Sequence, residues 1–226
     1  GKYHQGNALY VEKAIEAAPS DPAAYLQLAD LRAQSGDLDG ALLVLERLLA
    51  QAPENAAAQT AMARIQLGQQ DIGALDRTAE RVLLSRPEHA LGYYLKGVVL
   101  RRQGEIGASI EQFEAALEKA PGAPEPLVAL ARSHLALEQP DEAERRLRQL
   151  LADDPDNILA INLLGEIYLT TKRFAEAREQ YAEAIRLRPS SPLAYDRMAI
   201  LQAREGDSMG ALKTFEAGVG ATNRNG

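Results

Sequence analysis

Residues 158–191 read ILAINLLGEIYLTTKRFAEAREQYAEAIRLRPSS, and this stretch decides the fold. It holds two helical patterns, with Gly165 midway through the first and Ala177, Tyr181 and Ala184 along the second. Pro189 near its end is the last of six prolines, Pro19, Pro53, Pro87, Pro121, Pro155 and Pro189, that stand 34 residues apart. A fixed period of this length marks a stack of identical supersecondary units, each touching only its neighbours. Such an array presents a surface instead of one central core, so the sequence says more about architecture than about a ligand.

The start and stop signals repeat with the prolines. Ser191-Pro192 predicts a helix start: a hydroxyl to cap free backbone N–H groups, then proline at the first helical position, where its missing N–H does no harm. Leu193, Tyr195, Met198, Ala199 and Ile200 supply the apolar side of that helix. Glu205-Gly206-Asp207 breaks it, and a second helix runs from about Ser208 through Ala211, Leu212 and Phe215. Asp21-Pro22 is an equivalent start, and Ser35-Gly36-Asp37, Gln103-Gly104-Glu105 and Gln139-Pro140-Asp141 predict turns between paired helices. Gly97 and Gly165 sit mid-helix where Ala29, Ala63, Ala131 and Ala199 stand in other units. Glycine there costs about 1 kcal/mol relative to alanine, which close approach of a partner helix would offset. On the second helix Ala41, Ala143, Ala177 and Ala211 share one position, and Leu45, Phe113, Leu147, Tyr181 and Phe215 share another. The large residues are predicted to pack as knobs against the small residues of the first helix, and proline then ends the second helix.

These residues resemble the tetratricopeptide repeat. The likeness is fullest in the fifth unit, where Leu164, Gly165, Tyr168, Ala177, Tyr181, Ala184 and Pro189 fall at the family's places. The family's first large aromatic is Tyr25, Tyr93 and Tyr195 in three units, but Gln59, Leu127 and Ile161 in the others. The second unit departs furthest, with Gln59, Leu75 and Ala79 where aromatic, alanine and large apolar residues are usual. The resemblance covers nearly the whole chain and implies an all-α, right-handed superhelical solenoid of antiparallel helix pairs. It implies six units at 22–55, 56–89, 90–123, 124–157, 158–191 and 192–225, and places in residues 1–21 the second helix (about 7–19) of a truncated upstream repeat. The segment Gly218–Gly226 is expected to fray. Leu212 and Phe215 are then partly uncovered, which predicts a longer array or end-to-end self-association.

In this family the first helices line a concave groove where a partner peptide lies. The positions carried over are Asp30, Arg64, Tyr94, Arg101, Arg132, Asn162, Glu166, Asp196 and Arg197. Arg64, Arg101 and Arg132 suit a carboxylate or an acidic segment; alternatively they pair with neighbouring acids and keep the groove soluble. Tyr94 is either a groove anchor or half of a Tyr93-Tyr94 packing pair. The family's two-carboxylate clamp of Lys, Asn, Asn, Lys and Arg meets Leu26, Asp30, Ala61, Leu91 and Leu95 here, so chaperone-tail binding is not expected. The expected function is a non-catalytic scaffold for a protein or peptide partner. The Ala-, Leu-, Arg- and Gln-rich repeats resemble bacterial PEP-CTERM-associated tetratricopeptide lipoproteins, which implies exopolysaccharide or protein-sorting machinery in the periplasm or envelope. The alternative is a cytoplasmic adaptor arm of a larger regulatory or transferase protein.

Composition narrows the remaining classes. Hydrophobic residues make up 46% of the 226 and aromatics only 5%, the balance of closely packed Ala/Leu helices. With a net charge of −7 and no basic run, a nucleic-acid partner is not expected. The densest basic patch, Arg145-Arg146-Leu147-Arg148, follows Glu142 and Glu144 on one helix and predicts ion pairs. With no cysteine, disulfides and thiol chemistry are excluded, and no apolar run approaches the ~20 residues of a membrane span. His4, His89 and His134 are isolated, and His134 falls at a core position. Asp153-Asp154-Pro155-Asp156-Asn157 lacks the glycine and distal glutamate of a calcium loop and predicts helix capping. There is no phosphate-binding loop, and Ser109 and Ser133 have no His–carboxylate grouping. No catalytic residue, metal or cofactor is expected.

Overall fold

The computed structural model describes residues 2–223, with side chains from 7 to 221. Among the described residues there are thirteen α-helices and no strands. The chain divides into two compact units, Gly1–Ala120 and Pro121–Gly226. In the first, α1 (Lys2–Ala17) precedes three helix pairs: α2 (Pro22–Gln34) with α3 (Leu38–Gln51), α4 (Ala56–Gln69) with α5 (Ile72–Ser85), and α6 (Ala90–Arg102) with α7 (Ile106–Lys119). The second holds three more: α8 (Pro124–Ala136) with α9 (Pro140–Asp153), α10 (Ile158–Thr170) with α11 (Phe174–Leu187), and α12 (Pro192–Arg204) with α13 (Ser208–Asn223). Within each unit a pair also packs on the next, α3 on α4 and α5 on α6, α9 on α10 and α11 on α12. First helices touch as well, α2 with α4, and α10 with both α8 and α12.

Local chemistry sets the helix ends. Asp21 caps α2 through a 3.0 Å bond from Ala23 N–H, while Asp37, Asn55, Asp71 and Asn157 cap α3, α4, α5 and α10 in the same way. Ser191 holds the N-cap place of α12, but its hydroxyl makes no cap bond, so Pro192 alone favours that start. The helices α3, α5, α7, α9 and α11 each stop two residues before one of the periodic prolines. Between paired helices one residue adopts the left-handed conformation, and it recurs every 34 residues: Gly36, Gln70, Gly104, Glu138, Lys172 and Gly206. Pro140 lies at the first position of α9, and the turn before it is Leu137–Gln139. The expected fraying after Gly218 does not occur within the described residues: α13 continues to Asn223, with Gly218 buried against the Tyr195 side chain. Residues 224–226 of that expectation lie outside the described residues.

The cores are built from the repeated small–large pairs. A methyl placed on Gly97 would lie 2.5 Å from a ring carbon of Phe113, and one on Gly165 would overlap the Tyr181 ring. Close approach is therefore what offsets the helix-interior glycine in both pairs. In α5 the order is reversed, Leu75 at the small position and Ala79 at the large one, and both are fully buried. At the site of the missing aromatic, buried Gln59 donates to Pro53 O at 2.7 Å and Ser85 Oγ at 2.9 Å and accepts from Arg86 at 3.3 Å. Leu212 and Phe215 on α13 are about half exposed, as their place on the last helix predicts.

Candidate functional site

Each unit displays a layer of first helices, and the sequence-derived candidates fall on it. In the first unit Asp30 is exposed on α2, its carboxylate accepting from Gln34 Nε2 at 2.5 Å. Arg64 is exposed on α4 and borders an open depression of about 400 Å³ with Ala56, Ala57, Thr60 and Ala61. Arg101 is exposed in the last turn of α6. Tyr94 is half-buried and leans on Phe113, the ring centroids 6.1 Å apart. The ion pairs of this unit lie elsewhere, joining Arg32 to Glu12, Lys96 to Asp76 and Lys119 to Glu88. Arg64 and Arg101 stand outside them.

In the second unit Arg132 is exposed on α8, again outside the ion pairs. Asn162 on α10 is only 7% exposed and donates to Ile158 O at 2.8 Å. One turn further along α10, Glu166 meets Arg197 of α12 at 3.6 Å, each side chain about one-third exposed. Asp196 is half-buried beside it in sequence. The structure thus joins Glu166 and Arg197 directly, while Arg132 joins no ion pair among the described residues.

Several charges of α9 and α11 are paired as well. Arg145 pairs with Glu142 at 2.9 Å and Arg148 with Glu144 at 2.8 Å, as the sequence spacing predicts. Glu144 also binds Arg173 at 2.6 Å and accepts the Tyr168 hydroxyl at 2.8 Å, and Arg173 covers the Tyr168 ring at 4.3 Å. Burial opposes the Glu144 charge, but the bonds from Tyr168, Arg173 and Arg148 outweigh it and hold the carboxyl below its usual range. This knot ties α9, α10 and α11 together and was not visible in the sequence, because its partners lie 20 to 29 residues apart.

His89 and His134 have structural places, while the side chain of His4 lies outside the described ones. His134 is buried with Nδ1 3.2 Å from Gln139 Oε1, and His89 caps α6 by accepting from Leu91 N–H at 3.2 Å. Asn157 caps α10 and donates to Asp154 at 2.9 Å, which accounts for part of the acidic stretch as capping. Among the described residues no three His, Asp or Glu side chains gather as a metal site, and no helix is long and apolar enough to cross a membrane.

Tetratricopeptide-repeat family models match residues 1–65, 60–124 and 128–192. A TPR repeat-containing protein of Pseudomonas aeruginosa is 40% identical over 78 residues, 33% of this chain and 13% of that protein's length. The match therefore spans a small part of that curated relative. The structure is similar to a tetratricopeptide repeat protein of Parabacteroides merdae, with a TM-score of 0.70 at 16% identity over 95% of this chain and 85% of that one. It is also similar to TTC0263 of Thermus thermophilus, with a TM-score of 0.62 at 25% identity over 79% of this chain and 97% of that one. YrrB, described as a TPR protein with an unusual peptide-binding site, aligns with a TM-score of 0.53 at 21% identity, covering 86% of this chain and 97% of its own.

Proposed function

Because the chain belongs to the tetratricopeptide-repeat family, we propose that it is a non-catalytic scaffold that binds a peptide segment of a partner on its first-helix faces. One observation carries this reading. Among the described residues, Arg64, Arg101 and Arg132 are exposed on first helices and join no ion pair, whereas the other first-helix basic residues Arg32, Lys96 and Arg197 do. Exposed guanidinium groups without a carboxylate nearby suit a bidentate hold on an acidic segment. The stacked helices keep these groups in place before a partner arrives, which lowers the ordering cost of association. YrrB, with its peptide-binding site, supports the class of ligand.

Selection of displayed random peptides on the purified chain tests the reading. Enriched sequences are expected to carry Asp or Glu, and their binding to weaken at least about tenfold in Arg64→Glu or Arg132→Glu, the loss of one charged hydrogen bond or more. Selected peptides that bind both variants unchanged would move the site to the second helices or the ends. We further propose, from the resemblance to PEP-CTERM-associated tetratricopeptide lipoproteins alone, that the scaffold works in bacterial envelope or protein-sorting machinery, the alternative being a cytoplasmic adaptor arm. Fractionation of producing cells into periplasm and cytoplasm checks that placement.

A further inference from the structure

Apolar surface is unevenly spread over this chain. Of the eleven large hydrophobic side chains exposed among the described residues, six belong to the hairpin α12–α13: Leu193, Ile200, Met209, Leu212, Phe215 and Val219. Four of these lie on α13, where steps of three and four residues set them along one side of the helix. The repeat identifies that side as a packing surface. The equivalents of Phe215, which are Leu45, Ala79, Phe113, Leu147 and Tyr181, are at most 1% exposed, whereas Phe215 is 50% exposed. Val219 is 48% exposed, and its equivalents Leu49 and Leu117 only 3% and 1%.

In other hairpins a helix covers this side. Leu45, Leu48 and Leu49 of α3 share one core with Ala58, Met62 and Ile65 of α4. Leu83 of α5, the equivalent of Val219, lies so near α6 that a Cβ built on Gly92 would stand 2.8 Å from its side chain. A helix is therefore the shape that fits the free side of α13. Every first helix of the chain is already seated on its own second helix, so what a second copy brings is α13 itself. The stripe reads alike in both directions: Phe215 lies at the middle of Ser208–Asn223, with Leu212 and Val219 on either side. Exposed Lys213 and Glu216 border it and join no ion pair among the described residues. One base and one acid on the same border complement themselves across a two-fold axis, where charges of a single sign would repel.

We propose that two copies of this chain pair through α13, antiparallel about a two-fold axis near Phe215. Phe215 packs on its own counterpart, Leu212 on Val219 of the second copy, and Lys213 faces Glu216 of the second copy, in both directions. The expected end-to-end association is thereby narrowed to a closed dimer, because an isologous contact uses up its own surface. The pairing does not draw on Arg64, Arg101 or Arg132, and it gives one assembly two sets of first-helix faces. A partner with two acidic segments gains avidity from that arrangement.

Sedimentation equilibrium of the full chain tests this. A monomer–dimer equilibrium is expected with a Kd of about 1–100 μM, the weak range that suits an interface of little more than one helix a side. Phe215→Glu is expected to weaken the dimer about tenfold or more. Lys213→Glu and Glu216→Lys change only the exposed border, so they keep the test open should Phe215→Glu unsettle α13. Each alone is expected to weaken the dimer about threefold or more, and an equimolar mixture of the two to restore it. A change confined to one chain would not give that restoration. A monomer at concentrations well above the expected Kd, or a dimer that Phe215→Glu leaves unchanged, overturns the pairing. Failure of the mixture to restore the dimer overturns the two-fold arrangement. So does an assembly that grows past two copies and is lost in Tyr10→Glu, since Tyr10 is 78% exposed on α1 and that result would seat α1 of one copy on α13 of the next.

Discussion

In α4–α5 the buried place of the family aromatic holds Gln59, and the knob positions carry Leu75 and Ala79 in reversed order. In α10–α11 the same places hold Ile161, Ala177 and Tyr181, with Tyr181 fitted over Gly165. Both pairs keep the 34-residue step and seal these side chains from water. The difference teaches that the repeat register follows summed volume and satisfied polar groups more than residue identity. A large–small exchange within one helix conserves volume, and a glutamine fits an apolar place once Pro53, Ser85 and Arg86 take up its hydrogen bonds.

The comparison can be broken most sharply at Tyr181. Tyr181→Ala empties the gap over Gly165 and is expected to lower stability by about 3–5 kcal/mol in urea denaturation, the range for large aromatics. A loss below about 1 kcal/mol would mean the knob does not hold the pair together. Next comes the reversed pair. Leu75→Ala alone is expected to cost about 2–5 kcal/mol, and adding Ala79→Leu to recover at least half of it; simple addition of the two losses would refute the volume argument. Gln59→Leu should cost about 1–3 kcal/mol, because Pro53 O loses its buried donor. An unchanged melting temperature would show that apolar bulk suffices there.

Smaller effects sharpen the turns and the charge knot. Lys172→Gly and Gln70→Gly should each stabilise by up to about 1 kcal/mol, since both residues hold φ near +60°, and Gly104→Ala should lose a similar amount. The Glu144 carboxyl titrates lower when folded than its ordinary 4.5, so its contribution is whole above that pH and is lost as pH falls through the folded value. Acid unfolding of Glu144→Gln should show a shallower pH dependence in that window than the parent chain.

Much of this was legible in the residues. The proline period, the Asp21 cap, the turn glycines Gly36, Gly104 and Gly206, and the Gly97–Phe113 and Gly165–Tyr181 contacts all follow from local signals or fixed register. Three further left-handed residues, Gln70, Glu138 and Lys172, were not, because nothing in a surface Gln, Glu or Lys announces positive φ. The bonds of Gln59 were hidden for another reason: Ser85 and Arg86 lie 26 and 27 residues away and meet it only when hairpins stack. The persistence of α13 past Gly218 was hidden too, since a glycine that looks like a helix end is the small residue that lets Tyr195 pack close.

The sequence by itself determined that helices come in pairs, where most of them begin and stop, and which positions meet, because a strict period brings the same offsets together in every repeat. Only the tertiary structure decided which charges find one another. Among the described residues Glu166 reaches Arg197 while Arg132 joins no ion pair, and the Tyr168 hydroxyl is bonded while that of Tyr181 is not. The physical reason is range. Hydrophobic register is set by helix geometry over many residues, but a hydrogen bond or ion pair forms or fails within about 1 Å, a distance that periodicity does not encode.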